Sequence, residues 1–232
     1  MTGALQAIVF DFDGVIADSE PLHLRAFQQA LAEERIELTA TDYYSQYLGY
    51  DDVGLLQALA ADRRIEMGER EMTALLARKA VLVREMLEGG QLLFPGAADF
   101  IRAAAAVVPI AIASGAMRHE IEAIIGPAGV RDLFSAIVSS GDTPQSKPSP
   151  APYRLAFERL CQASGRVLDR RRSVAVEDSR WGLESARGAG LRCVAVTTSY
   201  PAAELAGAEL VVDGLNTLTL SALERLCANH HA

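Results

Sequence analysis

Ala7-Ile8-Val9-Phe10-Asp11-Phe12-Asp13-Gly14-Val15 is the stretch on which the fold turns. Its four leading apolar residues, two β-branched and one aromatic, run without a polar break, as a strand buried on both faces does. Two acids and a glycine follow at once. Ligands of open parallel sheets bind beyond the carboxyl ends of the strands, so these carboxylates stand where a site would form. Acids at i and i+2 can divide labour, one attacking while its neighbour gives and takes protons. The alternative is a turn of Asp and Gly with no chemistry in it.

Outward from this stretch, similar apolar runs recur at Ile110 to Ala113, Ala136 to Val138, Val174 to Val176, Cys193 to Val196 and Leu210 to Val212. Helical patterns lie between them, as from Tyr153 to Cys161 and from Trp181 to Ala189, the latter stopped by Gly190. This alternation predicts right-handed βαβ crossovers and an α/β, Rossmann-like parallel-sheet core. One interval breaks the rhythm. Between Ser19 and about Gly89 there are only helix formers, at Leu24 to Arg35, Leu55 to Arg64 and Glu69 to Leu87. The expected organisation is a core of residues 1–17 and 90–232 with an inserted all-α cap domain, 18–89. Gly89-Gly90 and Phe94-Pro95-Gly96 are the expected hinge and re-entry points.

The 232 residues suffice to bury roughly 70% of the unfolded chain's surface, so no covalent staple is needed. Half are hydrophobic and 22% charged, a globular composition. The net charge of −8 argues against nucleic acid as a partner but leaves room for a small anion in a locally positive pocket. Cys161, Cys193 and Cys227 show no CxxC spacing and read as reduced thiols. The first apolar run is cut short by Asp11 and does not read as a signal peptide, and no run is long enough to span a membrane. The expectation is a soluble, cytoplasmic protein. His230-His231 is too short for a tag or a metal site.

Three more strand ends carry complementary parts. Ser114 and Gly115 follow the second run and could hold a phosphate oxygen through a hydroxyl and a backbone N–H. Downstream of the third, Ser146-Lys147-Pro148-Ser149-Pro150 supplies a compact positive charge, with Pro148 restricting the Lys147 backbone to extended conformations. A solvated loop lysine is the plainer account. After the fourth, Val176-Glu177-Asp178-Ser179 adds two acids where a strand meets a helix. Those acids could also simply cap the helix. Arg118 and His119 read as a solvated helix face.

Taken together, an acid pair, a Ser, a Lys and a second acid pair, each after a buried strand and in that order, resemble the four motifs of the haloacid dehalogenase-like superfamily. The resemblance covers essentially the whole chain, cap insertion included. It is nearest to the branch holding β-phosphoglucomutase and the sugar-phosphate and phosphoglycolate phosphatases. The strings Asp11 to Glu20, Ser146 to Pro150 and Val176 to Ser179 carry it.

What the resemblance implies is a phosphatase of small phosphorylated metabolites, working as a monomer or weak homodimer. Asp11 would attack phosphorus to form an aspartyl-phosphate, and Asp13 would act as acid and base. Ser114, Gly115 and Lys147 would hold the phosphoryl group. Mg2+ would lie on the Asp11 carboxylate, the Asp13 main-chain carbonyl and Asp178, with Glu177 supporting the metal site directly or from behind. His23 falls where the mutase places a histidine facing substrate, although a helical His is more often structural. A phosphohexomutase of the β-phosphoglucomutase type is the alternative. The mutase, however, carries a basic pair near its cap glycine loop. The equivalent Leu48-Gly49-Tyr50-Asp51-Asp52 has none, and Gly115-Ala116-Met117 replaces a Ser-Lys pair. A cation reaching the cap pocket from elsewhere, such as Arg25, would revive the mutase. A dehalogenase would lack the second acid, and a catalytically dead binding module would not keep all four motifs.

Overall fold

The computed structural model describes residues 4–48, 50–87 and 92–228. The chain divides into two compact units, Met1–Asp18 with Gln91–Ala232, and Ser19–Gly90. Gly49, the Gly89-Gly90 pair expected as a hinge and His230-His231 lie outside the described residues. Among those residues no helix is long and apolar enough to cross a membrane.

The unit Ser19–Gly90 is helical: α1 (Glu20–Ala32), α2 (Ala40–Asp42), α3 (Asp52–Arg63) and α4 (Glu69–Leu87), with a π-helical turn at Tyr43–Tyr47. The first helix starts earlier than its apolar pattern suggests, because Pro21 sits in its first turn, where no N–H is required. It ends at Ala32, and Arg35 has a left-handed φ of 59°. Asp51 caps α3, accepting from the Gly54 amide at 2.7 Å. Leu24, Phe27, Leu31, Tyr43, Tyr47, Leu55, Leu56, Leu59 and Leu75 form a separate hydrophobic core.

The larger unit contains β1 (Ala7–Phe10), α5 (Ala97–Ala105), β2 (Ile110–Ala113), α6 (Arg118–Ile125), β3 (Phe134–Val138), α7 (Ala151–Ser164), β4 (Ser173–Glu177), α8 (Arg180–Gly188), β5 (Arg192–Val196), β6 (Leu210–Val212) and α9 (Leu220–Ala228). The strands are all parallel, in the order β3-β2-β1-β4-β5-β6. Chain direction across the sheet reverses between β1 and β4, the crevice where doubly wound sheets bind ligands. Every residue of β1, β2 and β4 is buried, which accounts for the unbroken apolar sequence of β1, β2 and the middle of β4, Val174 to Val176.

Side-chain alternation decides which helices cover which face. Ala7 and Val9, with Ala111, Ala113 and Ala175, face α7 and α8, whose Tyr153, Phe157, Leu160, Leu183 and Ala186 fill that side. Phe10 points the other way and meets Phe100 and Phe134 edge to face, at 6.1 and 6.3 Å. Phe10 pairs in register with Ile112 and Val176, and the Asp11 N–H donates to the Val176 carbonyl at 2.9 Å. Asp11 and Glu177 therefore leave adjacent strands at the same level and on the α7/α8 face.

The strand ends are tied down locally. Ala17 bridges Leu93, and the Asp18 and Phe94 amides donate to Leu92 and Ile16 at 2.7 and 3.0 Å, holding the exit from β1 beside the return at Phe94-Pro95-Gly96. Beyond β3, Asp142 accepts from the Ser139 amide (2.9 Å) and hydroxyl (3.1 Å), Arg118 (3.0 Å) and Arg159 (3.3 Å). Both arginines also donate to the Ile137 carbonyl, at 2.7 and 3.0 Å. Arg118 is thus no mere solvated face: it fastens α6 to the end of β3.

Burial would raise the Asp142 pKa, but the Ser139 amide and hydroxyl and the Arg159 guanidinium outweigh it and hold the carboxyl at about 2. A folded-state pKa below the unfolded one adds stability that is complete above the unfolded value and is lost as pH falls through the folded one. The shift corresponds to on the order of 2 kcal/mol at neutral pH, trimmed by screening around the partly exposed arginines. Urea unfolding of Asp142→Asn should therefore show a deficit near neutrality that shrinks between about pH 5 and pH 2. A gap independent of pH would contradict this account.

Candidate active site

Lys147 organises the carboxyl end of the sheet. Its partly buried ammonium lies 2.7 Å from Asp11 Oδ1 and 2.6 Å from Glu177 Oε1, and 5.1 Å from the centre of the Tyr153 ring. Burial would lower the Lys147 pKa, but the two carboxylates overcome it and hold the amine above its ordinary range. Burial and then the Glu177 charge drive Asp11 up to about 8, against the pull of Lys147. Asp178 is likewise raised, by burial, then by Asp11 and Glu177, with a hydrogen bond from Ser199 opposing.

Glu177 is fully buried and its oxygens are occupied. Oε1 accepts from Lys147 and from the Tyr153 hydroxyl at 2.7 Å; Oε2 accepts from the Ser179 hydroxyl and the Asp178 amide, both at 3.2 Å. Every strong acceptor direction is thus met within the protein. Tyr153 went unnoticed in the sequence as anything but a helix former. The signal available was its place in the first turn of α7, on the helix that packs over Asp11 and Glu177.

Asp13 and Ser114 adjoin, with Asp13 Oδ2 3.5 Å from the Ser114 hydroxyl. Ser114 is buried and its oxygen accepts from the Ala116 amide at 2.9 Å. Gly115 is exposed, and a Cβ there would meet open space, so only its backbone could be needed. Gly14 is different. Its φ is +76°, and a Cβ would fall 1.9 Å from Asp178 Oδ2, so the loop after β1 and the end of β4 fit only around a glycine. Asp11, Asp13, Ser114, Gly115, Lys147, Glu177 and Asp178 accordingly sit together at one end of the sheet.

Asp11, Glu177 and Asp178 place ligand atoms within 4.8 Å of one another. Three carboxylates against one lysine leave 3 − 1 = 2 formal negative charges, which suits a divalent cation. The donors are all oxygens, the chemistry that Mg2+ prefers.

His23 lies in the helical unit and is not alone there. Its Nδ1 is 2.9 Å from Lys79 Nζ, which also donates to both Asp52 oxygens at 2.8 and 2.7 Å and lies 5.0 Å from the Phe27 ring centre. Arg25, the cation suggested by sequence, is exposed. A lysine from α4 instead reaches the Asp52 stretch. An ammonium has three protons, and all three face these acceptors.

An equally tight steric demand is at Gly182, where a Cβ would lie 1.9 Å from the Glu177 carboxyl carbon. Gly182 is helical, so Ala there should stabilise by up to about 1 kcal/mol on propensity alone. Gly182→Ala should instead lower the unfolding midpoint, because it displaces a buried, fully bonded carboxylate. A midpoint at or above wild type would refute this packing.

A family model, haloacid dehalogenase-like hydrolase, matches residues 5–190. Among curated proteins, Protein CbbY of Cereibacter sphaeroides is 32% identical over 224 residues, spanning 92% of this chain and 94% of that one. A phosphoglycolate phosphatase of Yersinia pseudotuberculosis is 28% identical, covering 85% and 83%. Among solved structures, CbbY from Rhodobacter sphaeroides in complex with phosphate superposes with a TM-score of 0.83 at 28% identity, over 95% of this chain and 99% of that one. An Asp-to-Asn variant of it, at the same TM-score and identity over 94% and 99%, is in complex with xylulose-(1,5)bisphosphate. With its sheet order, four strand-end motifs and a family match over most of its length, the chain belongs to the haloacid dehalogenase-like hydrolases.

Proposed function

We propose that this enzyme is a Mg2+-dependent phosphatase of a small phosphorylated metabolite, a sugar phosphate or similar phosphomonoester, acting through an aspartyl-phosphate. The observation that carries the proposal is the Asp11–Lys147 pair, 2.7 Å apart, with Asp11 buried and Lys147 partly so, at the switch point of the sheet with Asp13 and Asp178 beside it. Relatives named as a phosphoglycolate phosphatase and as CbbY bound to phosphate support the same substrate class. In this reading Asp11 attacks phosphorus in line, the ester P–O bond breaks, and Asp13 protonates the departing alkoxide. Asp13 then takes a proton from water, which attacks phosphorus and releases phosphate while regenerating Asp11.

Lys147, the Ser114 hydroxyl and the Gly115 backbone hold the transferring oxygens, where positioning and charge neutralisation supply most of the catalysis. Asp11, the Asp13 carbonyl and Asp178 would hold Mg2+, which neutralises charge on the phosphoryl group. Glu177, its oxygens taken by Lys147, Tyr153 and Ser179, serves behind the metal site. Residues 18–89 would act as the cap that selects substrate, with 1–17 and 90–232 as the catalytic core. The protein would work in the cytoplasm as a monomer or weak homodimer.

Phosphatase is favoured over phosphohexomutase because Lys79, the cation found beside Asp52 among the described residues, is already neutralised by it. Asp52→Arg is therefore a poor way to build a second phosphate site, since it would set Arg against Lys79. The unmodified protein is the better test: with β-glucose 1-phosphate and a bisphosphate primer, any turnover should yield free phosphate and no glucose 6-phosphate. Primer-dependent isomerisation would decide for the mutase.

For the chemistry itself, hydrolysis of p-nitrophenyl phosphate should stop in excess chelator and return with Mg2+. Asp11→Asn should retain below a few per cent of that activity with an unchanged fold by circular dichroism. Full activity in chelator, or a well-folded and active Asp11→Asn, would overturn the assignment.

A further inference from the structure

Beyond β5 lies a segment, Thr197-Thr198-Ser199-Tyr200, that none of the four motifs contains. Its Ser199 hydroxyl donates to Asp178 Oδ2, and its Thr198 hydroxyl donates to the Gly14 carbonyl. Two consecutive side chains thus reach two different strand-end loops. One binds the carboxylate expected to hold the metal, and the other binds the peptide next to Asp13, whose carbonyl is expected to share that duty. The same three elements crowd each other at Gly14, where a Cβ would stand 1.9 Å from Asp178 Oδ2 and 2.9 Å from Ser199 Oγ.

We infer that Thr198 and Ser199 are positioning residues for the metal site, together forming a clamp from the end of β5. The inference rests on the Mg2+ reading above and extends it to residues outside the motifs. A carboxylate can turn about its terminal bond, and Ser199 removes that freedom by occupying Oδ2, leaving Oδ1 for a cation. Thr198 does the same for the loop after β1 by fixing the orientation of the Gly14 peptide. Neither side chain reaches the reacting atoms in this scheme; they act through Asp178 and through the Asp13-Gly14 backbone. Hydrogen-bond partners standing behind metal ligands govern affinity in this way.

The test is calorimetric titration of Mg2+ into the purified full chain. Ser199→Ala should raise the Mg2+ dissociation constant roughly 10–100-fold. Ser199→Thr, which keeps the hydroxyl, should return it close to wild type. Thr198→Val, of nearly equal volume, should also weaken Mg2+ binding and serves as the second probe if Ser199→Ala does not fold. The loss should be specific to the metal. At saturating Mg2+ the KM for p-nitrophenyl phosphate should stay near wild type, while the Mg2+ concentration for half-maximal rate rises in step with the dissociation constant. Wild-type affinity in Ser199→Ala and Thr198→Val would overturn the inference and leave the phosphatase reading standing. So would a weakening that Ser199→Thr fails to restore. A wild-type chain that binds no Mg2+ at all would overturn the metal reading, and the clamp with it.

Discussion

The ammonium of Lys147, shared between Asp11 and Glu177, is the interaction on which the rest of the core depends. Bringing buried carboxylates together at the end of a sheet is costly, and that cost is tolerable only with an internal cation and a full set of hydrogen bonds. The neighbourhood is built accordingly. Tyr153 and Ser179 satisfy what Lys147 leaves open on Glu177, and Gly182 leaves the space that the carboxylate fills. Removing one partner of such a cluster strands a buried charge, a loss of about 3–5 kcal/mol in comparable cases.

Even so the cluster is not neutral. Asp11 and Asp178 are both pushed upward by burial and by their acidic neighbours, so Lys147 alone among the described residues does not offset the acids of the site. This imbalance suits catalysis better than stability. A phosphoryl group and a divalent ion arriving together would satisfy both the lysine and the surplus carboxylates, and positively charged donors already in place need not reorganise during reaction.

The helical unit uses the same device to a different end. Lys79 is more deeply buried than Lys147, and its three protons are spent on Asp52 and His23 inside the unit. A half-exposed carboxylate, Asp52, therefore neutralises the buried lysine of the helical unit. Charge count alone does not reveal this. The sequence stretch around Asp52 contains no base, and yet a base lies against it.

Much of the fold was legible because buried parallel strands must be apolar throughout and must be separated by helices, as at Ala7 to Phe10 and Val174 to Val176. The strand-end motifs were legible because loops there face a crevice and carry few packing demands, so Asp11, Asp13, Lys147 and Asp178 stand out from their surroundings. Other features had no local signal. Tyr153 follows the same helical pattern as any core residue of α7, and only packing over Glu177 gives its hydroxyl a role. Arg118 looked solvated until Asp142 folded back to meet it, and Lys79 lies 27 residues from Asp52 in an ordinary amphipathic helix. Ser199 and Thr198 are common loop residues, brought to Asp178 and Gly14 only by the pairing of β5 with β4 and of β4 with β1. The sequence by itself determined the strands and the order of the chemical groups at their ends, since these follow from burial period and residue type. The tertiary structure alone decided which donors satisfy which carboxylates, because hydrogen bonds between residues far apart in the chain depend on register and helix packing.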